Sequence, residues 1–165
     1  MENLIFYKAG IDDIDLLTEV RVEVLRAANN LDENVDMEDV RKASYEYYKN
    51  CFEQDTHVAY LVKDNGKIAG SGGISFYQVM PTYHNKTGRK AYVMNMFTAP
   101  SYRRKGIAMK VLDLLVQEAH ARGIHAVSLE ATSMGRPLYI KYGFVQMKDE
   151  MELPGEEIRN PQGLR

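Results

Sequence analysis

The chain has 165 residues, of which 45% are hydrophobic and 27% are charged, and this composition excludes the apolar-poor, highly charged class of disordered chains. Such a length predicts one domain over residues 1–165, with a polar tail at 155–165. The 21 Lys and Arg residues nearly balance 23 Asp and Glu residues, and the formal net charge of -2 gives no overall attraction to nucleic acid or to an anionic membrane.

The cysteine content and the start of the chain bear on its location. Cys51 is the single cysteine and cannot form an internal disulfide, which fits a reducing compartment. The first residues lack the basic-then-apolar pattern of a secretory signal. No apolar run approaches the roughly 18 to 20 residues that span a bilayer. We therefore expect a cytoplasmic protein.

The first third of the chain predicts a strand followed by two helices. The strand is expected at 5–8, the first helix from about residue 12, and the second helix from Asp36 to about Gln54. Apolar residues recur at helical spacing in both helices. These stripes are Ile14, Leu17, Val20 and Val24 in the first helix, and Val40, Ala43, Tyr47 and Cys51 in the second.

A β-hairpin and a long loop follow. Two apolar and β-branched runs, at 57–63 and 67–77, flank Asn65-Gly66, a pair that suits the positive φ angles of a tight hairpin turn. The segment 78–90 is longer than a turn requires. Loops of this length often contact ligands, so this segment is a candidate part of a binding site.

The second half of the chain predicts a β-α-β unit. A strand at 92–97 precedes a helix that ends at Arg122-Gly123, and another strand is expected at 126–131. The helix stripe consists of Ala108, Val111, Leu112, Leu115 and Ala119. A short helix is expected at 137–142, and the period-two pattern at 144–152 predicts a final strand.

The segment 103–108, Arg-Arg-Lys-Gly-Ile-Ala, lies between the strand at 92–97 and the following helix. Small residues at 106 and 108 let the main chain approach an anion closely at a helix N-terminus, where free N–H groups and the helix dipole favour negative charge. Three cations at this end of a helix are unfavourable unless an anion is present. The segment therefore predicts a pyrophosphate-binding loop.

This segment resembles the pyrophosphate loop Q/R-x-x-G-x-G/A of the GNAT acyltransferase superfamily, matched by Arg103, Gly106 and Ala108. A second segment at 136–144, Arg-Pro-Leu-Tyr-Ile-Lys-Tyr-Gly-Phe, resembles that family's closing helix, which carries a tyrosine and ends in Gly-Phe. The resemblance implies an α/β, sandwich-like fold with a central mixed, mostly antiparallel sheet and helices on both faces. It also implies acetyl-CoA as the acyl donor.

The resemblance implies a role for particular residues. Tyr139 is the implied general acid for the leaving thiolate, although packing in the core is the alternative role for this tyrosine. Thr132 replaces an asparagine that holds the pantetheine arm in many members, and its hydroxyl is the implied substitute. The implied cofactor-binding residues are Met96, Phe97, Thr98, Arg103, Arg104, Lys105, Gly106, Ile107, Ala108, Met109, Thr132 and Tyr139.

The general base and the acceptor site are less defined. Glu130 is the first candidate for the base, with His125, Asn95 and a water chain as alternatives, and a surface or structural role is the alternative for each side chain. Acceptor contacts are expected from Arg21, Tyr77, Tyr83, His84 and Asn95, although a purely solvent-facing loop fits 77–90 equally well.

These observations predict an N-acetyltransferase that moves an acetyl group from acetyl-CoA to a primary amine, small-molecule or peptide, by direct attack in a ternary complex. The alternative is a non-catalytic regulatory module that binds acyl-CoA. The four histidines show no metal-ligand spacing, so no metal is expected. Cys51 lies on a helix stripe, which argues against an acyl-cysteine intermediate. A homodimer is expected from the aromatic-rich loop or the final strands.

Overall fold

A computed structural model describes residues 3–155 of the chain. Five strands and four helices make up its regular structure, with 3-10 turns at Ile11–Asp13 and Pro100–Tyr102. The strands are β1 (Leu4–Lys8), β2 (His57–Asp64), β3 (Lys67–Gln78), β4 (Arg89–Thr98) and β5 (Val127–Leu129). The helices are α1 (Ile14–Asn29), α2 (Glu38–Glu53), α3 (Ile107–Ala121) and α4 (Arg136–Tyr142).

The strands form one sheet in the order β1-β2-β3-β4-β5. The first three pairings are antiparallel, and only β4 and β5 run parallel. The turn between β2 and β3 has the predicted form, since Asn65 and Gly66 both take positive φ angles, of 48° and 83°. The mixed, mostly antiparallel sheet is confirmed.

Helices cover both faces of the sheet, as predicted. The alternation of β2 shows how: Val58 and Val62 pack under α3, whereas Ala59 and Leu61 pack under α1 and α2. On the α3 side the core is built around Val111, Leu112, Leu115 and Ala119. On the other side it is built around Ile14, Leu17, Val20 and Val24, the stripe predicted for the first helix.

The apolar stripe predicted for α2 is wrong by one residue. Val40 is 39% exposed and Tyr47 is 37% exposed, whereas the neighbouring Tyr48 is buried and its ring stacks 6.0 Å from that of Phe52. The helix carries two overlapping stripes of aromatic residues. Tyr48 packs its ring in the core, whereas Tyr47 lies at the edge of the interface and reaches the sheet only through its hydroxyl, which contacts His57 and Ser75.

Two predictions near the C-terminus need correction. The strand expected at 126–131 is shorter, Val127–Leu129, and the strand expected at 144–152 is absent from the described structure. Val145 is 86% exposed and Met151 is 94% exposed, so the period-two pattern finds no neighbouring strand to pair with. Apart from Gly155, the polar tail expected at 155–165 lies outside the described residues.

None of the helices within residues 3–155 combines the length and apolar character that crossing a lipid bilayer requires. The helices described above are amphipathic instead, with one face on the sheet and the other exposed.

Candidate functional site

The parallel pairing of β4 with β5 stops halfway along β4. Its last register pair joins Val93 to Leu129, but β4 continues for five more residues to Thr98. On its other edge this stretch still pairs with β3, as shown by the Ser71–Phe97 and Gly70–Thr98 pairs. Beyond Val93, the edge of β4 that faced β5 is therefore left without that strand's main-chain partners.

Asn95 lies at the start of this separation, in a β-bulge. The register with β3 shifts between Ser71 and Gly73, and Asn95 takes a positive φ of 57°. Asparagine tolerates this left-handed conformation better than most residues. The Ser71 hydroxyl donates to the Asn95 carbonyl at 3.1 Å, and Arg21 Nη1 donates to the Asn95 side-chain Oδ1 at 3.1 Å. Hydrogen bonds thus fix both the main-chain carbonyl and the side chain of Asn95.

The loop before α3 has the geometry expected of an anion cradle. Arg104 and Gly106 both have positive φ angles, of 64° and 80°, and no atom lies within 4 Å of the position that a Cβ on Gly106 would take. Ile107 is buried in the core, so only its main-chain N–H can face an anion. The first N–H groups of a helix lack intrahelical acceptors, which leaves this end of α3 suited to negative charge.

The same loop is tied to the end of β4. Arg103 Nε donates to the carbonyl of Thr98 at 3.3 Å. The hydroxyl oxygen of Thr98 is buried and has no hydrogen-bond partner within residues 3–155. An orphaned hydroxyl next to an open glycine loop and an unpaired strand edge fits an extended, polar acyl donor such as acetyl-CoA. The implied cofactor residues at 96–98 and 103–109 are therefore contiguous in the structure.

Tyr139 lies on α4, in the core cluster on the α3 side. Its ring is 6.1 Å from that of Phe144, and burial raises the pKa of its hydroxyl. Within the described part of the chain this hydroxyl makes no hydrogen bond. The side chain thus packs as a core residue and still keeps a free proton donor.

Thr132 has a structural role at the start of α4. Its Oγ1 accepts a hydrogen bond from the N–H of Gly135 at 3.2 Å, and its carbonyl accepts from the N–H of Arg136 at 2.9 Å. The hydroxyl proton remains available to donate. The residue that replaces the family's asparagine therefore caps a turn and still offers one donor.

The α1/α2 side of the separation carries several polar side chains. Tyr92 lies there on β4, beside Glu130 and close to Tyr77. Burial raises the pKa of Tyr92, and the Glu130 carboxylate, which hydrogen-bonds its side chain, raises it further. Glu130 is itself exposed, just past the end of β5. It directly follows Leu129, the last residue of β5 that pairs with β4.

A hydroxyl and imidazole cluster lies on the same side of the sheet. The Tyr47 hydroxyl is 3.0 Å from His57 Nδ1 and 2.6 Å from the Ser75 hydroxyl. Burial raises the pKa of Tyr47 to about 12, partly offset by the Ser75 hydrogen bond, and lowers the pKa of His57 to about 4. His57 Nε2 is buried without a partner in the described structure. The imidazole is therefore neutral at pH 7.

Four predicted residues are not brought to the separation of β4 and β5. Tyr83 is 87% exposed in the loop between β3 and β4, where its ring contacts that of His84. His84 and His125 line a shallow groove beside Gly123, at the start of β4 and β5. At about 3.3 Å per residue, that end of β4 is on the order of 20 Å from Asn95. Arg21, Asn95 and Glu130, by contrast, lie at the separation. Tyr77 is on the same face of the sheet, but it pairs with Lys90 near the start of β4, on the order of 15 Å from Asn95.

Sequence reasoning missed Tyr47, His57, Ser75 and Tyr92. A signal was present in β3, where small residues alternate along one face at 71, 73 and 75. Small residues on a strand that packs under helices leave room for polar groups or a ligand. Within residues 3–155, no group of three or more His, Cys, Asp or Glu side chains is arranged to hold a metal ion.

Comparison with known proteins agrees with this geometry. The family model described as acetyltransferase (GNAT) family matches residues 24–144. A crystal structure of a predicted acetyltransferase from Clostridium acetobutylicum, with acetyl-CoA, has 38% identity and a TM-score of 0.83, covering 92% of this chain and 96% of that one. A GCN5-related N-acetyltransferase from Ralstonia eutropha JMP134 has 22% identity and a TM-score of 0.77, covering 92% and 98% of the two chains.

A sequence relative is the Bacillus subtilis (strain 168) protein named uncharacterized N-acetyltransferase YsnE. It is 33% identical over 86 residues, which are 49% of this chain and 51% of that protein, so the match spans about half of the relative's length. The family model covers most of the chain, and the anion loop and Tyr139 both fall inside it. The chain therefore belongs to the acetyltransferase (GNAT) family.

Proposed function

We propose that this protein is an N-acetyltransferase that moves an acetyl group from acetyl-CoA to a primary amine, by direct attack within a ternary complex. The observation that carries the proposal is the junction of the open Gly106 loop with the unpaired edge of β4. Membership of the family and the acetyl-CoA in the similar Clostridium acetobutylicum structure support the choice of donor.

Each part of the proposed donor has a matching group. Residues 103–109 would hold the pyrophosphate through main-chain N–H groups and nearby cations. The edge of β4 at 96–98 would hydrogen-bond the extended pantetheine arm, with Thr132 as a further donor. Acetyl-CoA supplies an activated acetyl thioester. Main-chain N–H groups near its carbonyl would stabilise the negative charge that develops during attack.

The reaction requires two proton transfers. The amine nitrogen forms a bond to the acetyl carbon while the carbon–sulfur bond breaks, and the amine loses one proton. Glu130 is the proposed acceptor of that proton, and Tyr139 is the proposed donor to the departing sulfur. The raised pKa of Tyr139 keeps its hydroxyl protonated at neutral pH and thus able to donate.

The proposed acceptor is a primary amine on a small molecule or a peptide. An aminoglycoside N-acetyltransferase in complex with CoA has a similar fold, with a TM-score of 0.72 and 9% identity. At this identity the similarity shows a shared fold and does not identify the acceptor of this chain. The cytoplasmic location, the absence of a metal and a homodimer remain predictions from the sequence.

Calorimetry with acetyl-CoA and Gly106→Glu tests the proposal. The glutamate would fill the open space over the loop and repel the pyrophosphate, so we expect binding to be lost. Gly66→Glu is the matched control, because Gly66 has a φ of 83° and equally open surroundings but lies in the β2–β3 turn. The control introduces the same charge and comparable backbone strain away from the loop, so it should lose stability to a similar extent but bind acetyl-CoA as the wild type does.

Release of the CoA thiol against an amine panel, followed in the same samples, tests the chemistry. Release with at least one amine supports the enzyme, whereas binding without release across the panel would favour a regulatory module. If wild-type protein does not bind acetyl-CoA, the proposal is wrong.

A further inference from the structure

The sheet-facing stripe of α1 contains a charged residue. Ile14, Leu17 and Val24 on this stripe are buried against the sheet. Residues three or four apart share one face of a helix, so position 21 falls between Leu17 and Val24 on the same stripe. Arg21 occupies it and is half-buried. A guanidinium in a position where an apolar side chain would pack lowers the stability of the fold unless its charge is paired with another group.

Arg21 has no carboxylate partner within residues 3–155. Its recorded contact is with a neutral group, the side-chain oxygen of Asn95 at 3.1 Å. That bond uses one of the five N–H donors of a guanidinium. Two other arginines are paired with carboxylates: Arg41 with Glu19, and Arg122 with both carboxylate oxygens of Asp55. The Arg21 charge is therefore available to something outside the described chain.

The position of this charge is fixed by the bulge in β4. Asn95 holds Arg21 through its side chain, while Ser71 holds the Asn95 carbonyl. The bulge begins where β4 and β5 separate, directly after the Val93–Leu129 pair. Arg21 thus presents its guanidinium on the α1/α2 side of the separation, opposite the α3 side where Tyr139 packs.

We infer that Arg21 binds an anionic group on the amine acceptor, a carboxylate or a phosphate, so that the acceptors are amines that carry such a group. This inference rests on the proposed function. The planar fork of a guanidinium matches both groups with two parallel hydrogen bonds, and a half-buried setting weakens competition from water. The same charge repels polycationic amines. Within residues 3–155 the groups recorded beside Arg21 are the neutral Asn95 amide and the Tyr48 phenol, so its positive charge has no anionic partner there.

The test uses matched pairs of amines in the thiol-release assay. L-phenylalanine and phenethylamine form the carboxylate arm, O-phosphoethanolamine and ethanolamine form the phosphate arm, and spermidine is the polycationic probe. For the wild type, kcat/KM should be at least about 10-fold higher for the anionic member of one arm. The arm that shows the preference identifies the group.

Arg21→Gln should reduce the ratio of kcat/KM between the two members of that arm by about 10- to 100-fold, while Arg21→Lys should keep part of it. Arg41→Gln is the matched control: it removes the same charge from a neighbouring helix and should leave the ratio as in the wild type. Circular dichroism checks that all three variants fold.

The outcomes separate this inference from the function beneath it. Equal rates within both arms, a preference for spermidine, or a ratio that Arg21→Gln leaves unchanged would overturn the anionic acceptor while leaving the acetyltransferase in place. Acetyl-CoA binding with no thiol release from any amine would instead overturn the proposed function, and this inference with it.

Discussion

Several polar side chains lie between the sheet and the helices α1 and α2, in a layer that ordinary packing would fill with apolar groups. His57 is the clearest case, since its Nδ1 contacts two hydroxyls while its Nε2 is buried without a partner in the described structure. Such a group costs stability, because desolvation of an unpaired donor or acceptor is not repaid. The unpartnered nitrogen of His57 therefore lowers the stability of the fold.

His57 should make folding stability depend on pH. Its pKa falls to about 4 in the folded chain from the ordinary value of 6.5, because burial opposes the charged form. The unfolded chain therefore binds the proton first, and the stability present above pH 6.5 is lost as the pH falls toward 4. The loss due to His57 should reach about 2 kcal/mol at pH 5.

Urea unfolding at pH 7.5 and pH 5.0, followed by circular dichroism, measures this effect. His57→Gln should lose about 2 kcal/mol less than the wild type between these two pH values. His84→Gln, at an exposed histidine, is the control and should behave as the wild type does. The same pH dependence in the His57 variant and the wild type would show that another group is responsible.

Tyr139→Phe should separate packing from proton donation. The ring remains, so its contact with Phe144 and the stability of α4 should be kept, but the only proton that Tyr139 can donate is removed. We expect acetyl-CoA binding within about 3-fold of the wild type and kcat lowered by about 100-fold or more. Stopped-flow detection of the thiol measures kcat.

Tyr142→Phe is the control for this substitution. Its hydroxyl donates to Asp113 at 3.0 Å, one turn further along α4 and away from Thr132, so its loss should affect stability and not turnover. An unchanged kcat in Tyr139→Phe would leave this tyrosine with a packing role alone.

Among the elements, β3 determines how closely the two helical layers approach the sheet. Its run of small residues, 70–73, lies under α3 on one side and above His57 on the other. A Cβ on Gly72 would lie 2.5 Å from Val111 Cγ1 and 2.7 Å from Met96 Sδ. The absence of a side chain at Gly72 therefore allows α3 to pack closely on the sheet, because a methyl group there would clash with Val111 of α3 and Met96 of β4.

Gly72→Ala should accordingly destabilise the protein by about 1–3 kcal/mol through overpacking. Shortening the neighbour should relieve the clash, so Gly72→Ala with Val111→Ala should be less unstable than the sum of the two single changes. Gly10→Ala is the control, since nothing lies within 4 Å of its added Cβ and its φ is -115°. Denaturant midpoints measure all four variants, and strict additivity would contradict the clash.

At the scale of the whole molecule, one sheet separates two layers of side chains. The α3 side contains the Gly106 loop and Tyr139, and the α1/α2 side contains Arg21 and the His57 cluster. The two layers meet where β4 and β5 separate, beyond the Val93–Leu129 pair. In the proposed reaction, the donor would approach from the α3 side and the acceptor from the α1/α2 side.

The order of strands and helices could be predicted because it depends on local signals. Asn65-Gly66 determines its hairpin turn through positive φ angles, and Gly123 ends α3 with a φ of 70°. Family membership followed from two segments, 103–108 and 136–144, whose chemistry is equally local. These features require no knowledge of distant contacts.

The remaining features depend on distant partners. The segment at 144–152 has the alternation of a strand but no neighbouring strand to pair with. In α2, packing against the sheet buries Tyr48 and leaves Tyr47 exposed, which the helical spacing alone does not distinguish. The bulge at Asn95 arises from its pairing with β3, so its positive φ leaves no mark in the local sequence. The positions of Tyr92 and His57 likewise depend on the pairing of strands that are distant in the sequence.

The unpaired edge of β4 also bears on how such a chain tolerates mutation. Its donors and acceptors belong to the main chain, and apart from proline, no side-chain substitution removes them. Met96 and Phe97 can change in size while that edge keeps its hydrogen-bonding pattern. Under the proposed function, substitutions on the α1/α2 side would therefore change the acceptor while the main-chain contacts to the donor are kept.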